Sequence, residues 1–391
     1  MGHGARFQKR VETRGCKITL LMGCAINTSV NREISLPKIQ VSKSTALVLF
    51  GLGIYLAYLR RLGFGEVAES LDNVNLMLFF AALILSLLMV AFNALSWKRV
   101  AEELNYGASF RDFFLIYLSS IFLNNLIPSG SFSGETARIY FLGKIEGASA
   151  SRFDASFASV AASRIITAVP FILGMTLGLA YLIFRCQVPS WALTTCFAMM
   201  IFSVSVGAAF VGICFEERWL QRMVNLTIGP LERIFRRDLD RELCSGAVSG
   251  FMRSMRLLRQ KNGALLVSLI WAFAGWICLE MVAFAAFRSL GIEVSLFAIF
   301  AVYSVIIVFQ TLPLGLPGGI GLVEILMTAL FSAVGIPIYD AAAVTILIRL
   351  VQLWFLALLG GISTVHLLRR IERDRDKENR ASAGSSTITR I

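Results

Sequence analysis

The sequence predicts an all-α polytopic membrane protein built as an inverted-topology repeat, with about six full spans and two Pro/Gly-broken re-entrant hairpins, eight to ten helical segments in all. Three observations carry this. The 391 residues are 57% hydrophobic and only 16% charged, whereas soluble domains hold roughly 25% charged residues. Six charge-poor apolar stretches are long enough to cross about 30 Å of hydrocarbon. Two further apolar regions are each interrupted in the middle by Pro and Gly.

In chain order the six spans are 44–59, 74–97, 155–184 (interrupted by Arg164), 191–214, 263–287 (interrupted by Glu280) and 341–366 (interrupted by Arg349). The first hairpin, 113–143, breaks at IPSGSFSG, and the second, 295–334, at LPLGLPGGIG. As a helix, the arm 113–127 reaches only about 22 Å, too short for a crossing. Residues 1–43 read as a basic cytoplasmic tail: the apolar part of ITLLMGCAIN is too short to span and lacks a signal-peptide cleavage pattern. A lipoprotein-like reading of LLMGC at Cys24 and an overlong start stay open beside it. The loop 215–262 has apolar residues at helical spacing among ten Lys/Arg, which predicts amphipathic helices on the anionic cytoplasmic leaflet. The basic tail 367–391 is expected to be disordered.

Charge decides whether the hairpins return. With both termini cytoplasmic and both hairpins returning to their own side, 30 Lys/Arg fall inside and 4 outside, with Arg138, Arg164 and Arg349 at membrane depth. If each hairpin region crosses once, the tally becomes 20 against 14, so the positive-inside rule favours the returning form. The basic excess of +12 is then explained by retained loops rather than by nucleic acid.

In this topology the domain 44–366 falls into halves, 44–184 and 191–366, each reading span, span, hairpin, span. The hairpin of one half is entered from the side opposite to the other. Pro128, Gly130 and Glu135 have the spacing of Pro317, Gly319 and Glu324, and Gly147, Asp154 and Arg164 are followed in kind by Gly335, Asp340 and Arg349. Such repeats with discontinuous helices belong to transporters that alternate access about a midplane site.

Several chemistries are disfavoured. Two histidines, His3 and His366, supply neither a zinc set nor a Ser/His/Asp triad. Seven cysteines without a CxxC pair read as reduced packing residues. Asp238 and Asp240 form a DxD inside RRDLDRE, more easily read as local ion pairing than as a glycosyltransferase metal site. No metal, cofactor or catalytic constellation is expected, and no nucleic-acid partner.

The residues that remain suit an anion. Backbone freed by a break at membrane depth persists only where protein or a wet cavity covers it, and a helix starting after the break offers N–H groups to phosphate. Ser129, Gly130, Ser131, Ser133 and Gly134 in the first hairpin, and Pro317, Gly318, Gly319 and Gly321 in the second, are candidates for such a seat; tight hairpin packing is the alternative. Arg138, Arg164 and Arg349 are candidate phosphate ligands, and Glu135, Glu280 and Glu324 their candidate carboxylate partners. Structural ion pairing and exchange of Glu for phosphate both fit. Glu280 is also a candidate proton carrier. Asp154 and Asp340 are expected to cap helices, and Asn124, Asn125 and Gln310 to satisfy freed backbone groups.

The segments PSGSFSGETAR and SRIIT, with the later LPGGIGLVE and the IRL of the last helix, resemble the lysylphosphatidylglycerol synthase transmembrane region, also called the flippase-like domain family. The resemblance covers roughly 44–366, and LPGGIGLVE is its most specific element. One departure is visible: Ile165, Ile166 and Thr167 follow Arg164, where members often carry an acidic residue. Only 25 residues follow 366, so the aminoacyl-transfer domain of full-length synthases, and lysyl transfer with it, is not expected. The resemblance implies a plasma-membrane lipid flippase for an anionic phospholipid, aminoacyl-phospholipid or polyprenyl-phosphate-linked sugar. A membrane transferase acting on a lipid phosphate, or an accessory subunit of a lipid or glycan pathway, is the alternative. Implied partners are membrane lipids and a lipid- or glycan-modifying enzyme; homo-oligomerisation stays open.

Overall fold

The structure, a computed structural model, describes residues 41–72, 74–127, 132–146, 150–185, 189–216, 218–220, 222, 241–311 and 316–388. The N-terminal tail before 41, Ser129, Gly130, Ser131 and the DxD lie outside them. Among the described residues there are thirteen α-helices and no strand. They are α1 (Val41–Leu62), α2 (Phe64–Leu71), α3 (Leu76–Glu102), α4 (Phe110–Leu126), α5 (Phe132–Ile145), α6 (Ala150–Arg185), α7 (Ser190–Phe215), α8 (Arg241–Arg259), α9 (Asn262–Ser289), α10 (Leu296–Thr311), α11 (Leu322–Ala333), α12 (Ile338–Arg349) and α13 (Leu356–Ile388). A 3₁₀ turn, Pro317–Gly319, precedes α11, and a π-helical segment, Leu350–Phe355, joins α12 to α13.

Five stretches are long and apolar enough to cross a membrane: Leu76–Glu102, Asp154–Phe184, Leu193–Gly212, Asn262–Ser289 and Ile338–Asp374. A sixth is α1 with α2, bent by 93° at Gly63, whose φ of 117° ends the first helix. The four hairpin arms, α4, α5, α10 and α11, have 17, 14, 16 and 12 residues. At about 1.5 Å per residue none reaches 30 Å, and the arms of each pair pack on one another as a hairpin. The protein is a multi-pass membrane protein.

The two halves lean on each other in matching ways. The second spans, α3 and α9, pack along their length, brought close by Ala82, Ser86, Ala94 and Ser96 on one side and Ser268, Ala272 and Gly275 on the other. Small residues permit this approach, and the Ser96 and Ser268 hydroxyls hydrogen-bond across it at 2.9 Å. The first arm α4 packs on α13, while its counterpart α10 packs on α6. Each hairpin thus rests on the last span of the other half.

Three expectations need correction, and one element was not foreseen. Phe64–Leu71 form the helix α2, with Val67 buried against Tyr55, Leu59, Ala342 and Ala343. The amphipathic helix α8 turns its apolar stripe toward protein: Val248, Phe251, Met252, Met255 and Leu258 are buried in a cluster with α6 residues, and Phe251 meets Phe157 at 4.9 Å. That stripe is therefore not left for the leaflet. The segment after 366, expected to be disordered, is helical as far as Ile388; Leu367 is fully buried and Arg370 pairs with Asp112. Asp112 also closes a capping box with Ser109 at the start of α4, so one carboxylate starts the hairpin and ties it to α13. Finally, Asp340 does not cap α12, which follows Pro337; it accepts a 3.0 Å hydrogen bond from Ser70 of α2. Asp154 likewise lies inside α6, against Gly250 of α8.

Candidate functional site

The second hairpin shows most fully how sequence makes the site. Gly318, Gly319 and Gly321 have φ of 59°, 63° and 93°, left-handed conformations that side chains other than glycine resist. The chain turns there and opens α11, and Glu324 falls in its first turn. One Glu324 oxygen, Oε2, accepts the Gly321 N–H at 2.7 Å, satisfying a free helix-start donor. The other, Oε1, accepts from Arg349 Nε at 2.5 Å. Arg349 also donates through Nη2 to the Gly318 carbonyl at 2.7 Å, one of the groups the break sets free. The ion pair is almost wholly buried, with side-chain exposures of 8% and 6%. One turn away, Thr328 and Thr345 meet across α11 and α12 at 3.4 Å. Helix α1 closes the seat from outside: a Cβ on Gly321 would stand 2.5 Å from the Gly51 carbonyl.

The first hairpin builds the counterpart. Glu135, in the first turn of α5, pairs with Arg164 of α6 and, at 3.2 Å, with Arg138 of its own helix. Asn124 replaces the missing backbone partners: its Oδ1 accepts from the Gly134 N–H at 2.7 Å and from the Ser133 hydroxyl at 3.2 Å. Asn125 reaches toward the other break, its Oδ1 3.5 Å from the place of a Cβ on Gly318. Gln310 is exposed near the end of α10.

The two pairs share a plan but differ in access. Arg164 is 42% exposed and Glu135 19%, so this pair is open where Arg349–Glu324 is closed. Arg138 is buried, its guanidinium 4.1 Å above the Trp97 ring and 5.1 Å from that of Tyr117. Its Nη2 donates to Ser163 at 3.2 Å. Arg138 is thus enclosed by aromatic rings and holds Glu135 toward Arg164; composition marked the arginine, but nothing in the sequence marked Trp97 as its platform.

Of the residues singled out from the sequence, Gly134, Glu135, Arg138 and Arg164 come together at one break, and Pro317, Gly318, Gly319, Gly321, Glu324 and Arg349 at the other. Glu280 joins neither pair. It lies within α9, fully buried, and neither of its carboxylate oxygens has a hydrogen-bond partner among the described residues. A groove of 1020 Å³ runs along α13 beside Phe122, Gly361, His366 and Arg369, and none of the candidate site residues lines it. Among the described residues no group of three or more His, Cys, Asp and Glu is placed to hold a metal ion.

No solved structure matches the chain. Curated relatives carry the description UPF0104 membrane protein. One from Methanothermobacter thermautotrophicus is 26% identical over 321 residues, covering 81% of this chain and 94% of the relative. One from Methanocaldococcus jannaschii is 27% identical, covering 87% and 99%, and one from Pyrococcus horikoshii is 25% identical, covering 82% and 96%. The family model described as the lysylphosphatidylglycerol synthase transmembrane region matches residues 44–360, the stretch that holds both broken hairpins and both Arg–Glu pairs. The chain therefore belongs to the lysylphosphatidylglycerol synthase transmembrane region family.

Proposed function

We propose that the protein is a flippase that moves an anionic lipid between the leaflets of the plasma membrane, with the headgroup phosphate received at the two hairpin breaks. The observation that carries this reading is the Arg349–Glu324 pair, buried beside a helix broken at glycines. A guanidinium at membrane depth is costly unless paired, and a carboxylate partner can be exchanged for a phosphate of like charge and geometry. Arg164, partly exposed on Glu135, is the same device in its accessible form. One pair open and one closed is the asymmetry that alternating access in an inverted repeat requires.

The cargo class is a phospholipid, an aminoacyl-phospholipid or a polyprenyl-phosphate-linked sugar, its tails remaining in the bilayer. The protein breaks no bond in this reading, and a separate lipid- or glycan-modifying enzyme supplies or consumes the cargo. Both termini are cytoplasmic.

The test is translocation in vesicles. Proteoliposomes holding the full chain and fluorescent phosphatidylglycerol should expose inner-leaflet label to an external quencher. Arg164→Ala should remove that activity with little change in thermal stability, because Arg138 stays paired with Glu135 at 3.2 Å. Normal translocation by this variant would remove the open pair from the cargo path. The orientation is tested separately at Asn225 of the NLT sequon, outside the described residues: expressed in a glycosylating host it should stay unmodified. A glycan there would place the long basic loop outside.

A further inference from the structure

The described residues contain eight buried side-chain polar atoms without a hydrogen-bond partner, and six of them belong to Trp276, Glu280, Tyr303, Ser304 and Gln352. These come from α9, α10 and the π-helical segment, which is a minority helix form found often at functional positions. Trp276 precedes Glu280 by one turn and turns its indole toward the same carboxylate. Tyr303 lies within electrostatic range of both Glu280 and Arg349, and its hydroxyl faces the Gln352 side chain. Ser304 follows it on α10. Orphaned polar groups are expensive in a packed interior, so a group of them from three elements calls for an occupant.

The charges around Glu280 narrow what that occupant is. From α10 the titratable group that faces it is Tyr303. Arg349 of α12 lies within electrostatic range of Tyr303 and is already held by Glu324. Helix α3 keeps Lys98, Arg99 and Glu102 at its far end, where they pair among themselves. Helix α6 holds Arg164 on Glu135 and Asp154 beside Gly250, and α8 meets α9 only at its end, near Lys261. Glu280 has no ion-pair partner among the described residues. A lone carboxylate at this depth is tolerable as the neutral acid or beside a cation.

We propose that Glu280 is a proton-exchange site that couples lipid movement to a transmembrane proton gradient. This rests on the flippase reading for its cargo. On uptake one O–H bond forms at the carboxylate, and on release toward the other side the same bond breaks; nothing is oxidised or reduced. Tyr303, within electrostatic range of Glu280 and facing the Gln352 side chain, is the hydroxyl beside the exchange site. The link to cargo is electrostatic. A proton on Glu280 removes a negative charge beside Tyr303, which in turn lies within range of Arg349; this favours an incoming phosphate there, and by linkage the bound phosphate favours the proton. Lipid and proton then travel together.

Two measurements on the full chain decide it. The first is infrared difference spectroscopy of wild type and Glu280→Gln, which keeps the shape and neutral hydrogen bonding of the acid. Wild type should show a protonated-carboxyl carbonyl band that shifts in deuterium oxide and is missing in Glu280→Gln. Raising the pH should remove the band, at a higher pH when dioctanoyl phosphatidylglycerol is present. Glu280→Asp should restore a titrating band at a shifted frequency. A band that neither exchanges nor titrates, or one indifferent to the lipid, overturns the proposal. So does a missing band together with stabilisation by sodium, which would make the occupant a metal cation.

The second is translocation of fluorescent phosphatidylglycerol under an imposed pH gradient. The gradient should accelerate wild type and leave Glu280→Gln about tenfold slower, with gradient-free exchange persisting in both. Translocation that ignores the gradient in wild type and variant alike sinks the coupling while leaving the flippase reading intact. If no lipid moves under any condition the flippase reading fails, and the infrared titration still decides the proton site.

Discussion

Arg349→Ala is expected to abolish lipid translocation and to lower stability by about 3–5 kcal/mol, the usual cost of stranding one member of a buried ion pair. The stranded group is Glu324, at 6% side-chain exposure, and the Gly318 carbonyl loses its donor as well. Loss of activity alone would therefore not tell a cargo ligand from a structural bolt. The double variant Arg349→Met with Glu324→Leu separates them: it removes both charges, keeps similar volume and should recover part of the lost stability. Backbone groups at the break stay unpaired, each costing about 1–3 kcal/mol, so recovery is incomplete. Activity should remain absent. If the double variant translocates lipid in the vesicle assay, the pair holds the hairpin together and does not receive the phosphate.

Gly321→Ala is expected to be nearly as damaging, by about 3 kcal/mol, with no charge involved. A side chain at φ of 93° costs roughly 1–2 kcal/mol, and the new Cβ would stand 2.5 Å from the Gly51 carbonyl. Overpacking against backbone adds about 1–3 kcal/mol. The helix α1 must then back away, or α11 must start later and carry Glu324 off its register with Arg349. Gly53→Ala is the control, because its Cβ meets nothing within 4 Å. Equal melting temperatures for the two variants would show that α1 does not clamp the hairpin.

Much of this was legible in the sequence because hydrocarbon imposes a simple test. Apolar length marked every long span, and the Pro/Gly breaks marked both hairpins. The spacing of Glu135 to Arg164 and of Glu324 to Arg349 placed matching charges in the two halves. What stayed hidden depends on groups far apart in the chain or on elements without an apolar run. Helix α2 is too short and too polar on one face to register. Trp97 lies 41 positions before Arg138, so its role as a platform is visible only once α3 and α5 are placed. The π-helical segment, LVQLWF, reads like any span, and only Gln352 breaks its apolar character. Nothing in the sequence marks Asp112, since its partner Arg370 stands 258 residues away.

The way each hairpin rests on the other half's final span also fixes an order of biosynthesis. Helix α4 leaves the ribosome early, yet the surface it packs on belongs to α13, joined to it by contacts such as Ser119 with Thr364, 245 residues downstream. Helix α10, by contrast, finds α6 already made. The nascent chain must therefore carry its first hairpin on α3 and α6, without α13, through most of translation. A chain that loses its last helix loses the floor of its first hairpin, so each half depends on the other to complete its hairpin.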